Sequence, residues 1–243
     1  MTGPDRDSHP MIPAADPLRE AAETMRAVRD RCVWTQQIDH RALVPYLVEE
    51  SAELIDAVED GTRDDLREEL GDLLWQVLFH AEIASRDPDD PFDIDDVARG
   101  LTEKMVRRHP HVFAGAVANT PEEVLVHWNA AKAAEKGART SVLDGVSAHM
   151  PSLALAQKLL GKAGSVGLET PNQGILVETG DADPGLDENA LVGGIATEAA
   201  LGEALLALVA TARANGWDAE RALRERLRTL EHDIRRREAG DPT

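Results

Sequence analysis

The sequence predicts an all-α protein built as a helical bundle. Three observations predict it. Ala, Leu, Glu and Arg, all strong helix formers, dominate a chain of 243 residues. Apolar residues recur at the 3.6-residue period through most of its length. Aromatic residues make up only 3% of the chain, and strand-like alternation is scarce.

Residues 1–16, rich in Pro and Asp, read as a disordered tail. Pro17 to Arg31 reads as the first helix, with Leu18, Ala22, Met25 and Val28 or Arg29 near its inner face. A helix from about Arg41 to Glu59 carries Leu43, Leu47, Leu54 and Val58 as one stripe, and another from about Arg63 to Ser85 buries Leu66, Leu70, Leu73, Val77 and Ala84. Gly61 breaks the chain between these two, and so short a connection makes them antiparallel neighbours. Asp93 is the expected N-cap of a helix from about Ile94 to Arg107. Residues 17–116 are thus expected to form the principal domain, and 117–163 connecting helices, at Pro121–Lys136 and Leu153–Ala163. Residues 164–194, rich in Gly, Asp and Pro, read as a flexible linker.

The stretch 195–238 reads as a degenerate second repeat, followed by a tail at 239–243. Ala200-Leu201-Gly202-Glu203-Ala204-Leu205 is laid out like Glu69-Leu70-Gly71-Asp72-Leu73-Leu74, with an Arg-rich helix after each. Where the first copy has Glu69 the second has Ala200. Its Leu201, Leu205, Leu208, Leu223, Leu227 and Leu230 are expected to serve packing or oligomerisation.

Two acidic strings carry most of the chemistry. Glu49-Glu50-Ser51-Ala52-Glu53 puts Glu50 inside the apolar stripe, between Leu47 and Leu54, with Glu53 one turn on. Glu69 and Asp72 lie beside the stripe of the next helix. A carboxylate on a packing face costs on the order of several kcal/mol unless it is paired or metal-bound. An all-oxygen set of Glu50, Glu53, Glu69 and Asp72 is what a hard cation such as Mg²⁺ prefers, or Mn²⁺ in its place. The bland alternative is that i,i+3 acidic pairs on helices are ordinarily solvated; two matched pairs on adjoining helices argue against it.

A net charge of −19 opposes binding to long nucleic acid, since the polyphosphate backbone would be repelled over most of the surface. No apolar run approaches a membrane span, and the first residues lack the regions of a signal peptide. The single Cys32 excludes an intramolecular disulfide and a thiolate metal cluster. A cytoplasmic location is the expectation.

Against this acidic background, Lys104-Met105-Val106-Arg107-Arg108-His109-Pro110-His111 gathers cations at a helix end stopped by Pro110. Basic residues there offset the helix dipole on the bland reading. Beside a cation site they suggest phosphate binding, and the combination points to phosphoryl-transfer chemistry.

The strings Tyr46-Leu47-Val48-Glu49-Glu50-Ser51-Ala52-Glu53-Leu54, Glu68-Glu69-Leu70-Gly71-Asp72-Leu73-Leu74-Trp75-Gln76-Val77-Leu78-Phe79-His80-Ala81 and Lys104 through Phe113 resemble the MazG-type nucleoside triphosphate pyrophosphohydrolases. Weaker matches run from Trp128 to Lys136, at Leu143-Asp144-Gly145-Val146 and from Lys158 to Gly167. The resemblance implies an all-α homodimer that cuts nucleoside triphosphates between the α and β phosphates, giving monophosphate and pyrophosphate and clearing non-standard or excess nucleotides. It implies Glu50, Glu53, Glu69 and Asp72 as Mg²⁺ ligands with Glu49 beside them.

In the expected mechanism Glu49, Glu50 and Glu53 serve the catalytic step, Glu49 orienting or deprotonating water. Lys104, Arg107, Arg108, His111 and Lys132 hold phosphates, and Trp34 or Trp128 stacks on the base. The family usually carries Cys-Pro-Trp-Asp followed by Gln-Thr-His, whereas this chain reads Cys32-Val33-Trp34-Thr35 and then Ile38-Asp39-His40, in a loop expected to shape the base pocket. Two rivals remain on the residues alone. One is a relative specific for one pyrimidine or phosphoribosyl nucleotide; the other is a non-catalytic helical dimer that binds nucleotide or a protein partner.

Overall fold

The computed structural model describes residues 16–135, 140–168 and 195–240. Among them every regular element is a helix: α1 (Pro17–Arg31), α2 (Val33–Gln37), α3 (Val44–Glu59), α4 (Arg63–Ala84), α5 (Ile94–Arg108), α6 (Pro110–Phe113), α7 (Pro121–Ala134), α8 (Ser152–Ser165), α9 (Glu198–Ala214) and α10 (Ala219–Glu238). The tail expected over 1–16 lies outside the described residues except for Asp16, as do 169–194 of the expected linker and 241–243 of the second tail. Of the linker's start, Gly164 and Ser165 are the last turn of α8. No described helix is long and apolar enough to cross a membrane.

Local chemistry sets the helix ends. Asp16 caps α1 by accepting from the backbone N–H of Leu18 and Arg19. Thr62 with Asp65 and Asp93 with Asp96 form reciprocal capping boxes at the starts of α4 and α5. Gly61 works by close approach rather than by a special dihedral: a Cβ there would sit 2.7 Å from the backbone of Ala57. A side chain at that point would force the backbone of the turn from α3 into α4 to shift.

Two compact units divide the chain, Met1–Glu135 and Lys136–Thr243. In the first, α3 packs along α4, α1 covers another side of α4, and α5 joins α4 to α6 and α7. Its core is Met25, Leu43, Leu78 and Phe79, walled by Ala21, Ala22, Ile38, Leu74, Trp75, Ile83 and Ile94. The stretch 117–163, expected to connect, is divided: α7 packs on α5 and α6, while α8 packs with α9 and α10 in the second unit. That second unit holds an apolar groove of about 600 Å³ lined by Leu143, Leu155, Leu159, Ala163, Val166 and Leu206, among others. No predicted site residue lines it.

Several inward-facing expectations are corrected. Leu18, Val58, Leu70 and Val77 are exposed, and Ala57, Gln76 and Leu78 are buried near the last three instead. On α4 the cause is that α1, α3 and α5 contact it at once, so its buried arc shifts along its length and no single stripe describes it. The segment around Trp34, expected as a loop, is the short helix α2. Thr35, buried at its centre, donates to the carbonyls of Val28 and Cys32 at 3.0 Å each and so ties α2 to the end of α1.

Candidate functional site

The inner face of α3 is Leu47, Glu50, Leu54 and Ala57, continued by the N-cap residue Leu43, all buried or half-buried. Glu50 thus occupies a packing position, as its spacing predicts, and meets Glu69 and Asp72 across the α3–α4 contact. One carboxylate oxygen from each of Glu50, Glu69 and Asp72 lies within 4.8 Å of the others. Glu53 is outside that trio but near enough for its charge to act on both Glu50 and Glu69. Glu49 is exposed, and its charge bears on Glu50.

This gathering is electrostatically unfavourable as it stands. Loss of hydration pushes the Glu50 and Glu69 carboxyls above the usual carboxylate range, and repulsion among Glu50, Glu53, Glu69 and Asp72 adds to it. One oxygen of Glu69 is buried without a hydrogen-bond partner. Close carboxylates, an unpartnered oxygen and an all-oxygen donor set are what a hard divalent cation satisfies. The residues therefore fit such an ion, with Glu50, Glu69 and Asp72 as the inner set.

The basic group is engaged differently. Arg108 Nη2 lies 2.6 Å from Glu135 Oε2, its guanidinium stands 4.9 Å from the Trp128 ring centre, and Arg107 Nε approaches Glu135 at 3.4 Å. These two cations hold the Glu135 carboxyl below its ordinary range. The end of α5 is thus fastened to the end of α7, which places Lys104, Arg107, Arg108 and Lys132 on two adjoining helices. His111 extends the group: its ring lies 5.6 Å from that of His109 and 6.1 Å from that of His127, and its Nδ1 is buried without a partner. Among the described residues no hydrogen bond or ion pair joins this group to the carboxylates.

Trp34 is about half exposed and meets Tyr46 and Phe79 edge-on at 5.9 and 6.3 Å. It therefore bridges α2, α3 and α4, with one side facing solvent. His40, in the segment that departs from the family string, points its Nδ1 at that of His80 at 2.8 Å, the two rings lying nearly parallel. Burial and the neighbouring His40 lower the His80 pKa.

Three groups here escape sequence reasoning. His80 and Gln76 stand inside a longer family string with nothing to mark them out, and both prove to carry buried unpartnered atoms. Glu135 draws no attention by itself, although a Glu ending a helix that carries Trp128 and Lys132 is a readable partner for Arg108. His127, beside Trp128, offers the signal of two adjacent ring-bearing residues on α7.

The model of the MazG nucleotide pyrophosphohydrolase domain matches residues 38–113, from just before α3 to the end of α6. An uncharacterized 26.1 kDa protein of Streptomyces cacaoi is 52% identical over 151 residues, which cover 62% of each chain. A nucleoside triphosphate pyrophosphohydrolase of Mycobacterium tuberculosis is 49% identical over 62% of this chain and 46% of its own. A nucleoside triphosphate pyrophosphohydrolase of Escherichia coli K12 is 34% identical over 226 residues, covering 90% of this chain and 85% of the relative. The match spans about half to two thirds of the Mycobacterium and Streptomyces relatives, and most of the Escherichia one.

Proposed function

Because this chain belongs to the MazG nucleotide pyrophosphohydrolase family, we propose that it hydrolyses nucleoside triphosphates to nucleoside monophosphate and pyrophosphate in its first unit. The observation that carries this reading is the meeting of Glu50, Glu69 and Asp72 within 4.8 Å between α3 and α4. Mg²⁺ is the proposed cofactor, with Mn²⁺ able to replace it, and Glu53 completes the donor set. A bound divalent cation supplies charge neutralisation for the triphosphate and lowers the pKa of water beside it.

The chain's own residues supply the rest. Glu49, about 100° around the helix from Glu50, orients water for in-line attack and takes its proton. Water adds to phosphorus as the bond between the α and β phosphates breaks, and pyrophosphate leaves. Lys104, Arg107, Arg108, His111 and Lys132 receive the phosphates, Arg107 and Arg108 exchanging Glu135 for phosphate oxygens. Trp34, with its exposed side, stacks on the base. The second unit, with Ala200 where the first has Glu69 and no Glu-Glu-x-x-Glu string at the corresponding distance upstream, serves packing or assembly of a homodimer. Clearance of non-standard or excess nucleotides in the cytoplasm is the proposed role.

The test is incubation of the purified protein with a panel of nucleoside triphosphates and Mg²⁺, resolving monophosphate, diphosphate, pyrophosphate and phosphate, with Glu53→Ala and Asp72→Ala alongside. Monophosphate and pyrophosphate in equal amounts, lost in both variants and on chelation, is the expected result. Folded protein that turns over no common or oxidised nucleotide would refute the hydrolase reading.

A further inference from the structure

Gln76 is the most polar side chain in the deepest part of the first unit. It is 2% exposed, and its Oε1 has no hydrogen-bond partner. A buried amide oxygen left unpaired is costly, so native proteins keep one only where something else satisfies it. Three facts of position say what that is.

First, Gln76 shares a helix with two of the candidate ligands. Taking Glu69 as the origin, Asp72 lies about 60° around the α4 axis, and Gln76 about 20° around in the same direction. It therefore projects inside the arc that the two acids span. Second, helical side chains lean toward the helix N-terminus, so a long residue covers the turn before its own Cα. For Gln76 that turn contains Asp72. Third, the axial rise from Asp72 to Gln76 is about 6 Å, one turn, within the reach of a glutamine side chain that leans toward the helix N-terminus. Glu69 Oε2 is the other buried unpartnered oxygen on this face.

We propose that Gln76 is a positioning residue for the carboxylate site. Its Oε1 accepts a hydrogen bond from a water that shares the site with a bound divalent cation, on the C-terminal side of Asp72 along α4. The role rests on the cation reading of Glu50, Glu69 and Asp72, and adds an uncharged oxygen to a set otherwise made of carboxylates. An amide suits this task because it accepts without adding to the repulsion that already burdens Glu50 and Glu69. Outer partners of this kind typically change metal affinity by about 10- to 100-fold.

The experiment is titration of the full chain with Mn²⁺ alone, reading free ion by its electron paramagnetic resonance signal, with thermal melts in parallel without metal. Gln76→Met keeps length and volume but removes the acceptor. It is expected to melt at or above the wild-type temperature in the absence of metal, since an unpaired buried oxygen is gone, and to bind Mn²⁺ roughly tenfold more weakly or worse. Gln76→Glu restores an oxygen and is expected to recover binding. Gln76→Asn, which retracts the amide by one methylene, should weaken binding as Met does and serves if the Met variant does not fold. Wild-type Mn²⁺ affinity in Gln76→Met, or in Gln76→Asn when it stands in, with Asp72→Asn defective, would overturn the role of Gln76 alone. Absence of Mn²⁺ binding by the wild-type protein would overturn the cation reading itself, and this inference with it.

Discussion

Glu50→Gln isolates the electrostatic cost of the carboxylate cluster. Glu50 sits on the packed face of α3, with carboxylate oxygens of Glu69 and Asp72 within 4.8 Å. Two unit charges at that distance repel by about 0.9 kcal/mol in a fully aqueous dielectric and about 3.5 kcal/mol at an effective value of 20. Asp72 is exposed and Glu50 only half-buried, so solvent screening keeps the sum near the lower figure. Removing one charge should then stabilise the metal-free first unit by about 1–2 kcal/mol, a rise of roughly 5 °C in Tm for a unit of this size.

The sign with pH follows from the raised carboxyl of Glu50. A group whose pKa is higher in the fold favours folding while protonated, so this contribution is present at acid pH and lost as pH climbs through the raised value. The advantage of Glu50→Gln should therefore be smallest at acid pH, grow as pH climbs through the raised Glu50 value, and be reduced by high salt. Mg²⁺ should raise the Tm of wild type and leave Glu50→Gln nearly unmoved. Thermal melts across pH, salt and Mg²⁺ measure all of this. A Glu50→Gln protein less stable than wild type without metal, together with no response of wild type to Mg²⁺, would refute the reasoning and mark Glu50 as a structurally paired acid.

Two further outcomes follow from packing and from the histidine pair. Gly61→Ala places a methyl 2.7 Å from the Ala57 backbone and should cost about 1–3 kcal/mol by forcing α3 and α4 to shift; urea melts check this, and a neutral result would show that the turn yields freely. His80 titrates below its ordinary value because of burial and His40, so its neutral form supports folding and that support is lost as pH falls below about 6.5. Stability should decline there by at most about 1.4 kcal/mol per pH unit for one proton. His80→Gln should flatten the slope, and a slope unchanged by the substitution would place its origin elsewhere.

Local and medium-range physics made much of this molecule readable in advance. The N-cap at Asp93, the glycine break at 61 and the 3.6-residue stripes depend on residues within one or two turns, so α1, α3, α4 and α5 were legible nearly to their ends. Two acidic pairs at i,i+3 on helices joined by a short turn have few ways to avoid meeting, which made the grouping of Glu50 with Glu69 and Asp72 legible as well. The trio is tighter than the four-member set, because Glu53 lies one turn along α3.

Only tertiary packing decided the rest. Whether Leu70 and Val77 or Gln76 and Leu78 turn inward on α4 depends on the directions from which α1, α3 and α5 approach, and periodicity within one helix holds no record of that. The same holds for Arg108, whose partner Glu135 is 27 residues away, and for His40, which meets His80 across 40 residues. By itself the sequence determined that the chain is helical, where most of its helices stop and which acids can meet; the assembled fold decided which faces are dry. Hydrogen bonds and caps act over one turn of chain, whereas burial depends on every element that arrives, so an unpartnered amide such as that of Gln76 becomes visible only in three dimensions.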